Sequence, residues 1–133
     1  MKLDSVSFIW LAVTVYHEAR GESPNGQRAV AKVILNRADR KSKSIEETVT
    51  ANKQFSCYNS GLASSSVWIK ELLSFVTVAY NVGVAIEEWN NGDTLNGANH
   101  YYAPSGVVGG KPGWADKMTQ ICAIGKHVFL REG

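Results

Sequence analysis

The sequence predicts an α+β domain, helices first and then a small antiparallel sheet near the C-terminus. Three observations carry this. Apolar residues recur at helical spacing over residues 4–20, 24–37 and 65–89. The period changes after the turn-forming run Asn90-Asn91-Gly92-Asp93. The 133 residues hold no internal repeat and no long linker, so residues 1–133 are read as a single domain with one core.

The first helix is expected over residues 4–20. Val6, Ile9, Val13 and Tyr16 recur at helical spacing, as do Phe8, Leu11, Ala12, Val15 and Ala19. A helix apolar on so much of its circumference belongs in the core, and Gly21 is a natural stop. The apolar run Val6–Tyr16 is too short for a membrane span. One basic residue, Lys2, precedes it, offset by Asp4, and no small-x-small cleavage site follows. It is therefore read as a buried helix, and the protein is expected to carry no export signal of its own and to make no stable membrane insertion.

Ser23-Pro24 opens a second helix, Ser23 as N-cap and Pro24 at the first helical position. Its stripe of Gly26, Ala29, Val30, Val33 and Arg37 suits a close approach to the first helix, and the helix is expected to end near Arg37. A short helix follows near residues 45–51, where Ser44 and Glu47 have capping-box spacing. A third long helix is expected over 65–89, with Val67, Leu72, Phe75, Val78, Ala79, Val82, Ala85, Ile86 and Trp89 as its core face. Gly83 inside it suggests a close helix crossing. Strands are expected over 99–103, 118–123 and 126–130, the last entered by a turn at Gly125; the glycine-rich stretch 104–114 reads as a loop.

Charge excludes more than it indicates. The net charge of +2 comes from 14 basic and 12 acidic residues, without the basic stripe that nucleic-acid binders show. The densest basic stretch, Arg37–Lys43, reads as a solvated loop. The separation of Cys57 and Cys122 rules out a CxxC metal or redox motif; they are either two buried thiols or one bridge, with free, structural thiols favoured.

The chemically loaded stretch is Tyr16-His17-Glu18-Ala19-Arg20-Gly21-Glu22. At 100° per residue Glu18 falls on the side of Leu11 and Val15. A carboxyl beside apolar neighbours is expected to have a raised pKa, which suits a proton donor near neutral pH. The alternative is a helix-end ion-pair network of Glu18, Arg20 and Glu22. A zinc reading fails, because the second histidine it needs at position 21 is Gly21; His100 and His127 are read as structural, and neither metal nor cofactor is expected. Glu18 and Glu22 do not make a glycosidase pair, since residues i and i+4 lie on one side of a helix while an acid and a nucleophile flank the bond. A mechanism with one carboxyl fits better.

This stretch, with Gly26-Gln27-Arg28-Ala29-Val30-Ala31-Lys32-Val33-Ile34-Leu35-Asn36-Arg37, Gln54-Phe55-Ser56 and Ile124-Gly125-Lys126-His127-Val128-Phe129, resembles the cell wall hydrolase family of the spore-cortex-lytic enzyme SleB. The resemblance spans nearly the whole chain. It implies a lysozyme-like fold and cleavage of peptidoglycan between N-acetylmuramic acid and N-acetylglucosamine, by lytic transglycosylation in the spore enzymes and by that route or plain hydrolysis here. It maps the catalytic glutamate onto Glu18 and a second acid onto Glu22, with a role in supporting the cleft or binding substrate. The chain is expected to depart from the spore enzymes in carrying neither a repeat-type wall-binding domain nor an export signal. The resulting expectation is a phage endolysin: a monomer made in the host cytoplasm and reaching the wall with help from a holin.

Other residues are weighed for the cleft. Gln54 and Phe55 sit in a polar loop and are expected to contact substrate, although Phe55 fits the core equally well. Strand alternation sends Tyr101 and Tyr102 to opposite faces, and Tyr102 is selected for the cleft. Trp114 is either a sugar platform or a packed anchor, and Asn36 is expected to tie a helix end to neighbouring backbone. Two other classes compete: a wall-binding or virion structural module without catalysis, and a peptide-cleaving enzyme, for which no nucleophile or zinc spacing is present.

Overall fold

The computed structural model describes residues 2–51 and 72–133. Among these residues four helices precede three strands: α1 (Ser5–Ala19), α2 (Pro24–Lys41), α3 (Ile45–Thr50), α4 (Leu72–Asn90), β1 (His100–Tyr102), β2 (Thr119–Ile124) and β3 (His127–Arg131). The predicted start of the long helix at 65 lies outside the described residues, as do Gln54, Phe55 and Cys57.

Local chemistry sets the helix ends. Asp4 caps α1 by accepting from the Ser7 amide at 2.8 Å. Ser23 caps α2 through the Gly26 amide, with Pro24 in the first turn. Ser44 and Glu47 form the reciprocal capping box of α3. Gly21 does not take the left-handed conformation of a C-cap: α1 ends through Arg20 in right-handed geometry, and the chain turns by a Glu22 N–H to Ala19 C=O bond.

The predicted basic loop is helix instead. Residues 37–41 form the last turn of α2, closed by Ser42 in the left-handed region, where basic side chains complement the helix dipole. Arg37 is buried and donates twice to the Asn99 carbonyl, at 2.7 and 3.1 Å. Arg40 pairs with Glu132.

The core is built where α1, α2, α3 and α4 meet, from Leu11, Val15, Tyr16, Val30, Ile34 and Val82 among others, with Phe129 closing it from the sheet. Burial on α1 begins at Leu11; Val6 and Ile9 are exposed, contrary to the expectation of a helix buried all round. On α4 the stripe Val78, Val82 and Ala85 is buried with Phe75 and Trp89 packed beside it, whereas Leu72 is exposed. Among the described residues Gly83 marks no close crossing, since no atom of theirs would lie within 4 Å of a Cβ there.

The strands form one antiparallel sheet in the order β1-β3-β2. Tyr101 pairs with Phe129, and a register shift between Gln120 and Cys122 marks a bulge in β2. β2 and β3 form a hairpin whose turn contains Gly125 at φ +57°. The glycine-rich stretch is largely turns, with short 3-10 segments at Pro104–Gly106 and Gly113–Lys117. No helix among the described residues is long and apolar enough to cross a membrane.

Candidate active site

Glu18 stands in the last turn of α1, partly exposed, one residue before the buried Ala19. The sequence projection placed it on the side of Leu11 and Val15, and both of these are fully buried. The sheet supplies its contact across the fold: the Tyr101 hydroxyl donates to Glu18 Oε1 at 2.9 Å.

Tyr101 is held on the same face of the sheet as His127 and Phe129. Its ring meets His127 edge-on with centroids 4.8 Å apart, and Phe129 at 5.9 Å. Alternation therefore separates the two tyrosines as predicted, and Tyr101, which sequence reasoning did not select, is the one that touches Glu18. Tyr102 and His100 lie on the opposite face. There Trp114, 43% exposed, packs edge-on to Tyr102 at 6.0 Å and tilted against His100 at 5.6 Å. No local pattern selects Tyr101; its register partner Phe129 is fully buried, and the face that carries both points to the helices.

Glu22 parts company with Glu18. α1 has ended before it, so the i,i+4 relation of a continuous helix no longer applies. The Glu22 side chain is only 8% exposed and turns to the β2–β3 hairpin, where Oε1 accepts from the Lys126 amide at 3.0 Å. The same oxygen lies 3.6 Å from His127 Nδ1, a buried nitrogen with no hydrogen-bond partner. Burial pushes the His127 imidazole below its ordinary pKa, and the Glu22 charge pulls it part of the way back.

The turn between α1 and α2 is held from beneath. Buried Gln27 donates to the carbonyls of Arg20 and Glu22, and its own carbonyl accepts from the buried Asn81 amide on α4 at 2.7 Å. Neither residue was singled out from the sequence, where an isolated glutamine and asparagine carry no periodic signal.

Two cavities among the described residues lie away from Glu18. The one beside α2 and α4 is lined by Arg28, Lys32, Glu88 and Asp93, whose charges pair with one another: Lys32 reaches Glu88 at 3.1 Å and Asp93 at 2.9 Å. The other, near the end of α2, includes Arg37 and Glu47. No group of three or more potential metal ligands converges among the described residues. Cys122 is half-buried and free, and burial raises its thiol pKa.

Residues 21–130 match the family described as Cell Wall Hydrolase. The chain belongs to the cell wall hydrolase family. The matched stretch contains Glu22, Tyr101 and His127; Glu18 lies just ahead of it. Among curated proteins, the chain is 32% identical over 121 residues to a spore cortex-lytic enzyme of Oceanobacillus iheyensis, covering 91% of this chain and 40% of that protein. It is 33% identical over 129 residues to one from Halalkalibacterium halodurans, covering 90% of this chain and 33% of that protein. The chain thus spans well under half the length of these relatives. Two solved structures share its fold over nearly its whole length. One is the catalytic domain of the germination-specific lytic transglycosylase SleB from Bacillus anthracis, with TM-score 0.75, 27% identity and 97% of each chain covered. The other is the catalytic domain of the Bacillus cereus SleB protein, with TM-score 0.71, 29% identity and 98% and 94% covered. This cell wall hydrolase chain therefore has the lysozyme-like architecture expected for it.

Proposed function

We propose that this chain cleaves the glycan strands of bacterial peptidoglycan between N-acetylmuramic acid and N-acetylglucosamine, with Glu18 as the single catalytic acid and base. The observation that carries the reading is the contact between Glu18 and Tyr101: a partly exposed carboxyl at the end of a core helix, with one oxygen fixed by a hydroxyl from the sheet. Membership of the cell wall hydrolase family supports the substrate class.

In the first step Glu18 gives its proton to the glycosidic oxygen as the bond to the muramyl C1 breaks, leaving an oxocarbenium-like centre. In the second, the Glu18 carboxylate takes the proton from the oxygen nucleophile that closes on that centre. If the nucleophile is the same sugar's 6-hydroxyl, the product is a 1,6-anhydro end; if it is water, the product is a reducing end. The burial of Glu22 against the hairpin favours a scheme with one carboxyl. The similarity to a structure described as a lytic transglycosylase favours the anhydro product. Tyr102 and Trp114 are proposed to meet the glycan as it passes the β1 edge; Gln54 and Phe55, also proposed to contact substrate, lie outside the described residues.

Mass spectrometry of muropeptides released from purified sacculi tests both points, because anhydro products are lighter by one water than hydrolytic ones. Glu18→Gln should abolish release while leaving folding and sacculus binding in place. Release at the wild-type rate would remove Glu18 as the acid. Wild-type protein that binds sacculi and releases nothing would identify a binding module instead.

The same reading extends to lysis of a phage host by a monomer made in the cytoplasm and delivered through a holin. Cytoplasmic expression should leave culture turbidity steady until a holin is coexpressed; clearing without one would discard that delivery route.

A further inference from the structure

We infer that Glu22 is a positioning residue for Glu18, an anchor that fixes the β2–β3 hairpin so that His127 holds Tyr101 in hydrogen-bond contact with the catalytic carboxyl. The inference rests on the reading of Glu18 as the acid.

The contacts form one connected series. The Glu22 carboxylate accepts from the Lys126 amide at the hairpin turn. His127, the next residue, is buried beside the same carboxylate, and its ring packs edge-on against Tyr101 at 4.8 Å. Tyr101 in turn bonds Glu18 at 2.9 Å. At the other end, Gln27 grips the Glu22 carbonyl and is itself tied to Asn81 on α4. The hairpin is thus attached, through one side chain, to the turn that follows Glu18.

Two glycines make room for that side chain. A Cβ at Gly125 would stand 2.5 Å from Glu22 Oε1, so the carboxylate would have to shift to admit it, and Gly125 also has positive φ. A Cβ at Gly26 would stand 3.0 Å from Glu22 Cβ. Backbone on both sides closes around a carboxylate that an ordinary surface residue would leave in water. A buried carboxylate given to a backbone amide and a histidine is poorly placed to grip a sugar and well placed to hold the hairpin. Displacing Tyr101 by about 1 Å is enough to affect catalysis strongly, since misplacements of that size far from the chemistry cost roughly a hundredfold.

The test is steady-state kinetics on solubilised glycan strands for Glu22→Ala, Glu22→Gln, Tyr101→Phe and the double variant Glu22→Ala/Tyr101→Phe. Glu22→Ala should lower kcat roughly tenfold to a hundredfold with KM little changed. In the Tyr101→Phe background the same change should cost less than about threefold, because the contact it maintains is already gone. Glu22→Gln keeps an oxygen to accept the Lys126 N–H and should stay within about threefold of wild type. The inference is overturned if Glu22→Gln is as inactive as Glu18→Gln, if the losses in the double variant multiply, or if KM rises while kcat holds. Hydrogen-exchange protection of the Lys126 amide, measured without substrate, should fall in Glu22→Ala, and unchanged protection would also overturn it. Should Glu22→Ala fail to fold, Gly125→Ala offers a second route, since the added methyl pushes on the same oxygen and should reproduce the kcat loss. If instead Glu18→Gln matches wild type, the acid assignment fails, and the amide measurement still judges the anchor.

Discussion

At the scale of single residues, the site turns on pairs that look equivalent in the sequence and are not. Glu18 and Glu22 are both acids four positions apart. One stays partly exposed and takes a tyrosine hydroxyl from the sheet, while the other is buried under a hairpin turn. Tyr101 and Tyr102 are adjacent and identical, yet only the first faces Glu18, because its register partner Phe129 is core. His100 and His127 differ in the same way: the first accompanies Trp114, the second stands between Glu22 and Tyr101. None of the three pairs is separated by residue type. What separates them is where a helix stops and which face of a strand is covered.

At the scale of elements, helices and sheet are joined by a few polar side chains rather than by apolar packing alone. Asn36 on α2 is one such joint. Its amide donates to the Thr94 and Ala98 carbonyls at 2.8 and 2.7 Å, and its oxygen accepts from the Trp89 indole at 2.7 Å. It thus ties α2 to the end of α4 and to the approach to β1, as its place near the predicted helix end suggested. Asn36→Ala would strand the indole N–H and two carbonyls in a largely dry setting. Buried polar groups left without partners cost about 1–3 kcal/mol each, partly recovered here by water. Urea unfolding should show a loss of roughly 2–4 kcal/mol; a loss below about 0.5 kcal/mol, the size of an ordinary surface change, would mean the joint contributes little.

At the scale of the whole molecule, stability should depend on pH through two histidines. Burial holds both His100 and His127 below the ordinary value of 6.5; the Arg37 charge adds to the effect at His100. The unfolded chain therefore binds protons that the folded chain refuses. The contribution of these residues is fully present above about pH 6.5 and is lost as pH falls through their depressed folded values. Melting temperature should decline between pH 7 and 5, and less steeply for His100→Gln/His127→Gln. Parallel curves for wild type and variant would show that other groups set the acid limb. At lower pH a second loss is expected from Asp93, whose carboxyl is held low by its hydrogen bond from Lys32.

Local chemistry in the chain was enough for the starts of α1, α2 and α3 and for the order of helices before sheet. Ser23-Pro24, Ser44 with Glu47 and the Gly125 turn all sit where local chemistry put them. Glu18 stood out as a candidate because it falls on the side of Leu11 and Val15 and because the motif around it resembles that of the cell wall hydrolases. These are local properties: caps, turns and periods act within about four residues. The last turn of α2 was missed because Arg37 to Lys41 read as polar chain, whereas in the fold Arg37 reaches the Asn99 carbonyl 62 positions away. Only the tertiary structure decided that Tyr101 rather than Tyr102 meets Glu18, that Glu22 serves the hairpin, and that Gln27 and Asn81 brace the turn between them. Each of these contacts joins residues between 54 and 104 positions apart. Such pairings are fixed by register and by the path of the chain, which no local pattern encodes.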